Sequence, residues 1–506
     1  MPNTEVAMRL MAVCLLLFFA VEAARAEPWA RAYGGAMADG AQAVCRTADG
    51  ELLLAGDTRS LGASNYDFLL VKVDLAGDTT WAVRFGSQNY DGARSIIPTL
   101  DGGFLACGRT YVVGGQQNDF SVVRVDAGLD VSWNGCYGGT GWDEAFGACL
   151  TTDSCFVVAG KTRSFGAGDY DFLVLKLSPA GETVWARTLG GRYEDDGHAV
   201  VPADDGGCIV AGSAWSPGAV SMDVMAVRLA ADGDTVWAEN VGPGGIGGIE
   251  VLDLCPTDDG GCVVAGRRAV MGALDDFVLL RLGPSGNLAW AWSYGGDAYD
   301  CCRSVRQTAD AGFIAAGVTT SLGADSADFL VLKLDQAGNP VWAGRFGGPG
   351  SDTACAVEPV EGGYLVAGST SSWGAATDFL AVRLDSTGNM PGCPWWHEVN
   401  VTGTSLSLPT ATWPVEVGRP TLTVSAPLRD YQTAVTVTVI WPEVGVNEES
   451  LFDWSQSDCR VVRVFDQSGR GLGRYDRDAL RAALDPGVYF ARPVEPGPTA
   501  KLVVLR

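Results

Sequence analysis

The chain has 506 residues, 47% hydrophobic and 19% charged, enough to bury sizeable cores and too weakly charged for a disordered polyelectrolyte. Sixty acidic against 35 basic groups give a net charge of -25, which repels phosphate backbones and argues against nucleic acid or an anionic membrane surface as partner. Two histidines, His198 and His397, argue against a His-dependent triad or a multi-histidine metal site, while 67 glycines, nearly twice the usual ~7%, imply many tight turns.

Residues 1–26 carry Arg9, an apolar run from Leu10 to Val21 and then Ala24-Arg25-Ala26, the n-region, h-region and cleavage pattern of a secretory signal. The apolar run reaches only ~18 Å as a helix against ~30 Å of hydrocarbon, so it is expected to be removed before Glu27 and not to anchor the chain. No membrane span is expected in the mature chain, which is predicted to act as a monomer outside the cytoplasm. Its cysteines then face an oxidising compartment. Cys149 with Cys155 and Cys255 with Cys262 each flank a turn, where they would either form cross-strand bridges or fill apolar strand positions.

From residue 27 to about 388 a unit repeats. Trp29, Trp81, Trp133, Trp185, Trp237, Trp290 and Trp342 follow at intervals of 52, 52, 52, 52, 53 and 52 residues, which defines seven units. Each runs Trp-Ala-x-x-aromatic-Gly-Gly, a loop with Asp, an apolar run, Asp-Gly-Gly, a second run ending Ala-Gly, a Ser-x-Gly-Ala loop, and Asp-Phe-Leu-Val-x-Lys-Leu. Unit five lacks the loop Asp, and units one and three have altered Asp-Gly-Gly turns. Four short runs between Gly and Asp turns predict a four-stranded antiparallel sheet per unit. In the fourth run Phe68 and Leu70 face one way and Leu69 and Val71 the other, so each sheet must be covered on both sides. Radial packing does this for all units at once, so the fold class predicted is all-β, a seven-bladed β-propeller of four-stranded blades.

Asp67, Asp119, Asp171, Asp223, Asp276, Asp328 and Asp378 open the fourth run, with Lys or Arg five residues later. They form either a ring of ligands or clamps, or structural aspartates that accept loop amides while the base leads the chain out to solvent, and the unbroken symmetry favours structure. The third-to-fourth-run loops depart from the common pattern in units two, four and five. There Tyr111, Gln116, Trp215 and Met271 are the candidate binding residues, on loops that share one face of a propeller.

These motifs resemble secreted bacterial and archaeal β-propeller repeat proteins over residues 29 to about 388. The resemblance implies an extracellular binding or adhesion scaffold for a glycan or protein ligand, with no cofactor and no shared enzymatic activity. The alternative is a secreted propeller enzyme, either a carboxylate-based hydrolase or lyase or a quinoprotein dehydrogenase. The last draws on Gly-Glu-Thr-Val-Trp at 181–185 and Gly-Asp-Thr-Val-Trp at 233–237, which resemble the tryptophan-docking turn of those enzymes, and on the adjacent Cys301 and Cys302.

Residues 389–448 read as a β-rich spacer, and 449–506 as a small C-terminal β-sandwich. The segments Val461 to Arg470, Leu484 to Phe490 and Lys501 to Arg506 resemble the sorting domain of type IX secretion cargo. That resemblance makes Gly487, Tyr489 and Lys501 elements of an export signal, names an outer-membrane translocon as partner, and implies release to the medium or cell surface.

Overall fold

The third strand of each blade sets the architecture, because it is apolar on both faces and needs a neighbour on each. In the first blade, Leu69 and Val71 pack with Leu365 and Ala381 of the seventh. On the opposite face, Phe68 and Leu70 pack with Ala106 and Val123 of the second. Each fully buried Leu or Phe contributes about 1.5–3 kcal/mol, and the requirement repeats round the ring. The computed structural model describes residues 27–441, apart from residues 62, 64, 88, 113–116, 216–220, 243–247, 270–274, 375 and short stretches between 409 and 435. Beyond 441 it describes the strands Val461–Phe465, Gly471–Asp476, Gly487–Pro493 and Lys501–Leu505. Residues 1–26, expected to be a secretory signal, lie outside the described residues.

The described residues contain strands and no helix, and they form seven antiparallel blades. Blade one comprises Asp39–Arg46, Leu52–Thr58, Asp67–Val73 and Thr79–Gly86, running from the axis outwards. Blades two to six span 91–138, 143–190, 195–241, 248–295 and 300–346. Blade seven takes its first three strands from 352–385, and its fourth is Trp29–Gly34, the start of the described chain, paired with Phe379 to Arg383. The tryptophan that opens each sequence unit therefore belongs to the outer strand of the preceding blade. The innermost strands of successive blades touch all round the ring.

Indole hydrogen bonds from recurring tryptophans join blades to their successors. The Trp29 indole donates to the Leu75 carbonyl at 3.0 Å, Trp133 to Pro179 at 2.9 Å, Trp185 to Ala231 at 2.9 Å, Trp237 to Pro284 at 3.0 Å and Trp290 to Gln336 at 3.2 Å. The acceptor lies in the outer hairpin turn of the following blade. Gly77, Gly181, Gly233 and Gly286 take φ near +80° in these turns, whereas in blade two Leu129 holds the left-handed position at φ 71°; a Cβ on the glycines would press on the indole at about 3 Å. Trp29 and Trp185 are buried and the other recurring tryptophans are half-buried.

The base after each recurring Asp does not lead out to solvent. Lys176, Lys333, Arg124 and Arg383 are buried. Lys72 reaches Asp49, Lys176 Asp153, Arg228 Asp205, Arg281 Asp259 and Lys333 Asp310, so the base clamps the aspartate of the inner hairpin turn. In blade seven Arg383 donates instead to the Glu361 carbonyl at 2.7 Å. None of the twelve described cysteines is disulfide-bonded. Cys149 and Cys255 with Cys262 fill apolar positions of the cores, so the bridges 149–155 and 255–262 do not form.

Seven short strands between residues 396 and 441 lie against the propeller. Trp396–Glu398, Thr402–Ser405, Thr410–Thr412, Glu416–Gly418, Thr423–Ser425, Arg429–Gln432 and Thr436–Trp441 pair antiparallel with the outer strands of blades six, five, four, three, two, one and seven, in that order. The segment thus encircles the ring against the direction of the repeats and gives every blade a fifth strand. The reason is the unpaired backbone of an outer strand, whose N–H and C=O groups otherwise invite association. Leu406 and Leu408 add apolar contact with the core between blades four and five, and Val399 and Val401 with that between five and six.

The C-terminal region contributes one four-stranded antiparallel sheet, ordered 471–476, 461–465, 487–493, 501–505. The rest of the expected β-sandwich lies outside the described residues.

A chain spanning residues 27 to 441 is expected to unfold at the midpoint of one spanning 27 to 506, whereas one ending at 388 should melt several degrees lower and associate through its bared outer edges. Calorimetry and light scattering on the two truncations check this; equal midpoints would show that the encircling strands add no stability.

Candidate functional site

On one face of the ring lie the loops that join consecutive blades and those that join the second and third strands. The other face carries the tight Asp-Gly turns. The loop face is held by an aspartate at the start of each inner strand: Asp39 accepts the Gly35 amide at 2.7 Å, Asp143 that of Gly139 at 3.0 Å, Asp195 that of Gly191 at 2.8 Å, Asp300 that of Gly296 at 2.8 Å and Asp352 that of Gly348 at 2.8 Å. Thr58, Thr110, Thr162 and Thr370 donate to the other oxygen. In blade five Ile249 takes this register position, the departure visible in the sequence.

The recurring third-strand aspartates lie just beneath. Asp67 pairs with Arg84 and Asp328 with Arg345, Asp223 accepts from Ser221 and Asn240, and Asp171 accepts the Gly168 amide at 3.0 Å. At the register position of those arginines stand Ala32 in blade seven and Cys136 in blade two. Burial, together with the facing Asp39 and Asp143, there pushes Asp378 and Asp119 up to about 7. Gly34 separates Asp378 from Asp39: a Cβ on it would meet Asp378 Oδ1 at 2.1 Å and Asp39 Oδ2 at 2.9 Å. The Gly-Gly of the repeat is thus the space two carboxyls need.

Symmetry ends at the axis. Each inner strand carries a β-bulge at the same place, and the bulged residue differs in every blade except two and six: Gln42, Arg94, Phe146, His198, Leu252, Arg303 and Cys355. Some of these residues and their strand neighbours touch across adjacent blades or within one. Phe146 packs on His198 with centroids 4.7 Å apart, and Arg94 reaches Glu144 at 3.1 Å, as does Arg109. Lys161 reaches Asp196 at 3.0 Å, and Arg267 pairs with Glu250 and Asp275. Burial lowers the His198 pKa and favours its neutral form. Arg303, beside Cys301 and Cys355, leaves its buried Nε without a hydrogen-bond partner. Among the described residues no group of three or more His, Cys, Asp or Glu side chains could hold a metal ion.

Further out on the loop face three aromatic side chains are exposed, Trp142 (44%), Tyr193 (49%) and Trp215 (43%). Their loops are contiguous. Arg163 N donates to the Trp142 carbonyl at 2.7 Å, Asp195 N to that of Tyr170 at 2.8 Å, and Trp215 N to that of Glu194 at 3.0 Å. The exposed pair Arg163–Asp169 lies between them at 3.5 Å.

Of the four candidate binding residues, Trp215 stands on this face and Tyr111 is half-buried at the end of the second strand of blade two, its amide donating to Tyr90 at 2.9 Å. Gln116 and Met271 lie outside the described residues. Trp142 and Tyr193 escaped the sequence analysis, although the stretch between Gly-Gly and the loop Asp is where the units differ most. Of the residues expected to form an export signal, Gly487 pairs with Leu505, Tyr489 with Val503 and Lys501 with Ala491, which leaves 501–505 at an edge of its sheet.

No family model and no curated protein matches this chain. Solved structures that resemble it include a protein of unknown function from Dyadobacter fermentans (9% identity, TM-score 0.37, covering 70% of this chain and 97% of that one). Others are Sqt1 of Chaetomium thermophilum (12%, 0.37, 73% and 89%) and the quinohemoprotein alcohol dehydrogenase of Comamonas testosteroni (11%, 0.39, 70% and 76%). At these identities and scores they carry no argument about function.

Asp119 and Asp378 bind a proton more tightly in the folded chain than in the unfolded one, where carboxyls titrate near ~4. Their contribution to stability is therefore fully present below about pH 4 and lost as the pH rises through about 7. Asp378→Asn should flatten the pH dependence of unfolding between 4 and 7 and raise the denaturation midpoint at pH 8. An unchanged slope in urea titrations at several pH values would remove the carboxyl pair as its cause.

Proposed function

We propose that this propeller is an exported, non-catalytic binding scaffold whose ligand contacts the loop face. The observation that carries the proposal is where the seven units differ. Positions that join blades, clamp turns and hold loops recur almost unchanged, as the tryptophan and aspartate contacts show. The bulge positions at the axis and the loops around it vary from blade to blade, and a binding site needs that inequality. The ionisable groups at the axis are largely paired with one another, which suits a rigid rim better than proton transfer.

Export rests on the two ends of the sequence. The signal pattern at 1–26 would carry the chain across the inner membrane. The 449–506 region, with nine basic and five acidic residues from Arg460 onward, would then address it to a type IX translocon. Among the described residues the strand Lys501–Leu505 has one backbone side unpaired, which would suit capture by strand addition.

Two experiments test the proposal. The purified mature chain should bind intact cells or extracellular matrix of its habitat, and alanine at loop-face residues should weaken this while alanine at the exposed Leu100 on the opposite face should not. Deleting 455–506 should leave a folded propeller in the periplasm. If the truncated protein reaches the surface or medium at the normal level, the tail is an ordinary domain.

A further inference from the structure

We propose that the arc formed by Trp142, Tyr193 and Trp215 on blades three and four binds an extended neutral polysaccharide. The proposal rests on the loop face being the binding face, and names its ligand class and place. All three exposed aromatic side chains among the described residues lie on this one arc, whereas the other large exposed apolar residues, such as Leu100, Val184 and Val236, stand elsewhere. Exposed aromatic groups gathered in this way mark interaction sites.

Three features of the arc select a sugar chain. The aromatics stand on separate loops, and the segment between Trp142 and Tyr193 runs Arg163-Ser-Phe-Gly-Ala-Gly-Asp-Tyr170, polar and glycine-rich. A protein interface would surround such anchors with a continuous apolar core. Separate flat rings suit the apolar C–H faces of successive pyranose units. The groups beside the rings are hydroxyl-binding: Arg163 and Asp169 are exposed, as are Arg192 and Glu194, and they supply donors and acceptors at the ring edges. Two basic against two acidic groups leave the arc locally balanced within a chain of net charge -25, which disfavours an anionic polymer and gives a cationic one no local attraction.

The backbone hydrogen bonds that link these loops hold the rings in place before a ligand arrives, since the Trp142 and Glu194 carbonyls and the Trp215 amide are already engaged. Side chains this exposed can be removed with little effect on the fold.

The test is affinity electrophoresis of the mature chain through gels containing soluble β-glucan, xyloglucan, mannan, dextran or chitosan, repeated in high salt. Retardation by at least one neutral polysaccharide, insensitive to salt, is expected. Trp142→Ala, Tyr193→Ala and Trp215→Ala should each weaken it about tenfold, and together abolish it, with thermal midpoints unchanged. Retardation that the triple variant retains would overturn the arc as the site while leaving the loop-face scaffold intact. Retardation by chitosan alone, suppressed by salt, would replace stacking with charge. No retardation in any gel would overturn the glycan assignment, and the cell-binding experiment above would then decide separately whether the scaffold proposal survives.

Discussion

The strand Trp29–Gly34 is the contact on which the ring depends. It completes blade seven by pairing with Phe379 to Arg383, and its tryptophan docks on Leu75 of blade one while Tyr33 donates to Gly77 at 2.7 Å. Blades apolar on both faces cannot end in a stack without leaving two faces wet, so closure is what makes every other burial possible. The same strand carries Gly34, which gives Asp378 and Asp39 room, and it receives the last encircling strand, Thr436–Trp441. The two ends of the described propeller therefore meet in one blade, and the cooperativity of the ring passes through it.

Repetition and variation divide the labour. Near-equal blades reuse one solution to blade contact, an indole on a left-handed turn, and one to loop support, an aspartate that accepts an amide and in four blades a threonine hydroxyl, with Leu129 in the turn of blade two and Ile249 in place of the aspartate of blade five as departures. Where the solution changes, the cause is local: with Arg84 or Arg345 beside it a third-strand carboxyl is ion-paired, and with Ala32 or Cys136 there it is held by burial nearer neutrality. Such positions report on stability. The bulged residues at the axis and the aromatic arc on blades three and four obey no repeat, and they are where chemical identity distinguishes this propeller from a generic one.

The encircling segment changes how the chain after the repeats is understood. It contains only short strands of three to six residues, none stable alone, and each gains its backbone partners from a blade already built. Its order, blade six back to blade one and then seven, follows from the chain leaving the repeats at blade seven's outer turn and meeting the sixth blade first. Edge protection that other folds achieve with charges or bulges is here achieved by added strands.

The sequence by itself determined the seven units, their four strands, the all-β class and the ring, because a 52-residue period and doubly apolar strands leave little else that buries every face. It also singled out Trp215, which is exposed on the loop face, and the recurring aspartates, whose partners are loop amides and neighbouring side chains. The phase of the blades, the burial of Lys176 and its equivalents, the reduced cysteines and the fifth strands were decided only in three dimensions. Each depends on which element lies beside which, and alternation such as that of 435–439 reads the same in a free-standing sheet as in a strand added to a blade. The aromatic arc was hidden for the same reason: Trp142, Tyr193 and Trp215 are far apart in the chain, and only the ring, with hydrogen bonds from loop to loop, brings their positions onto one face.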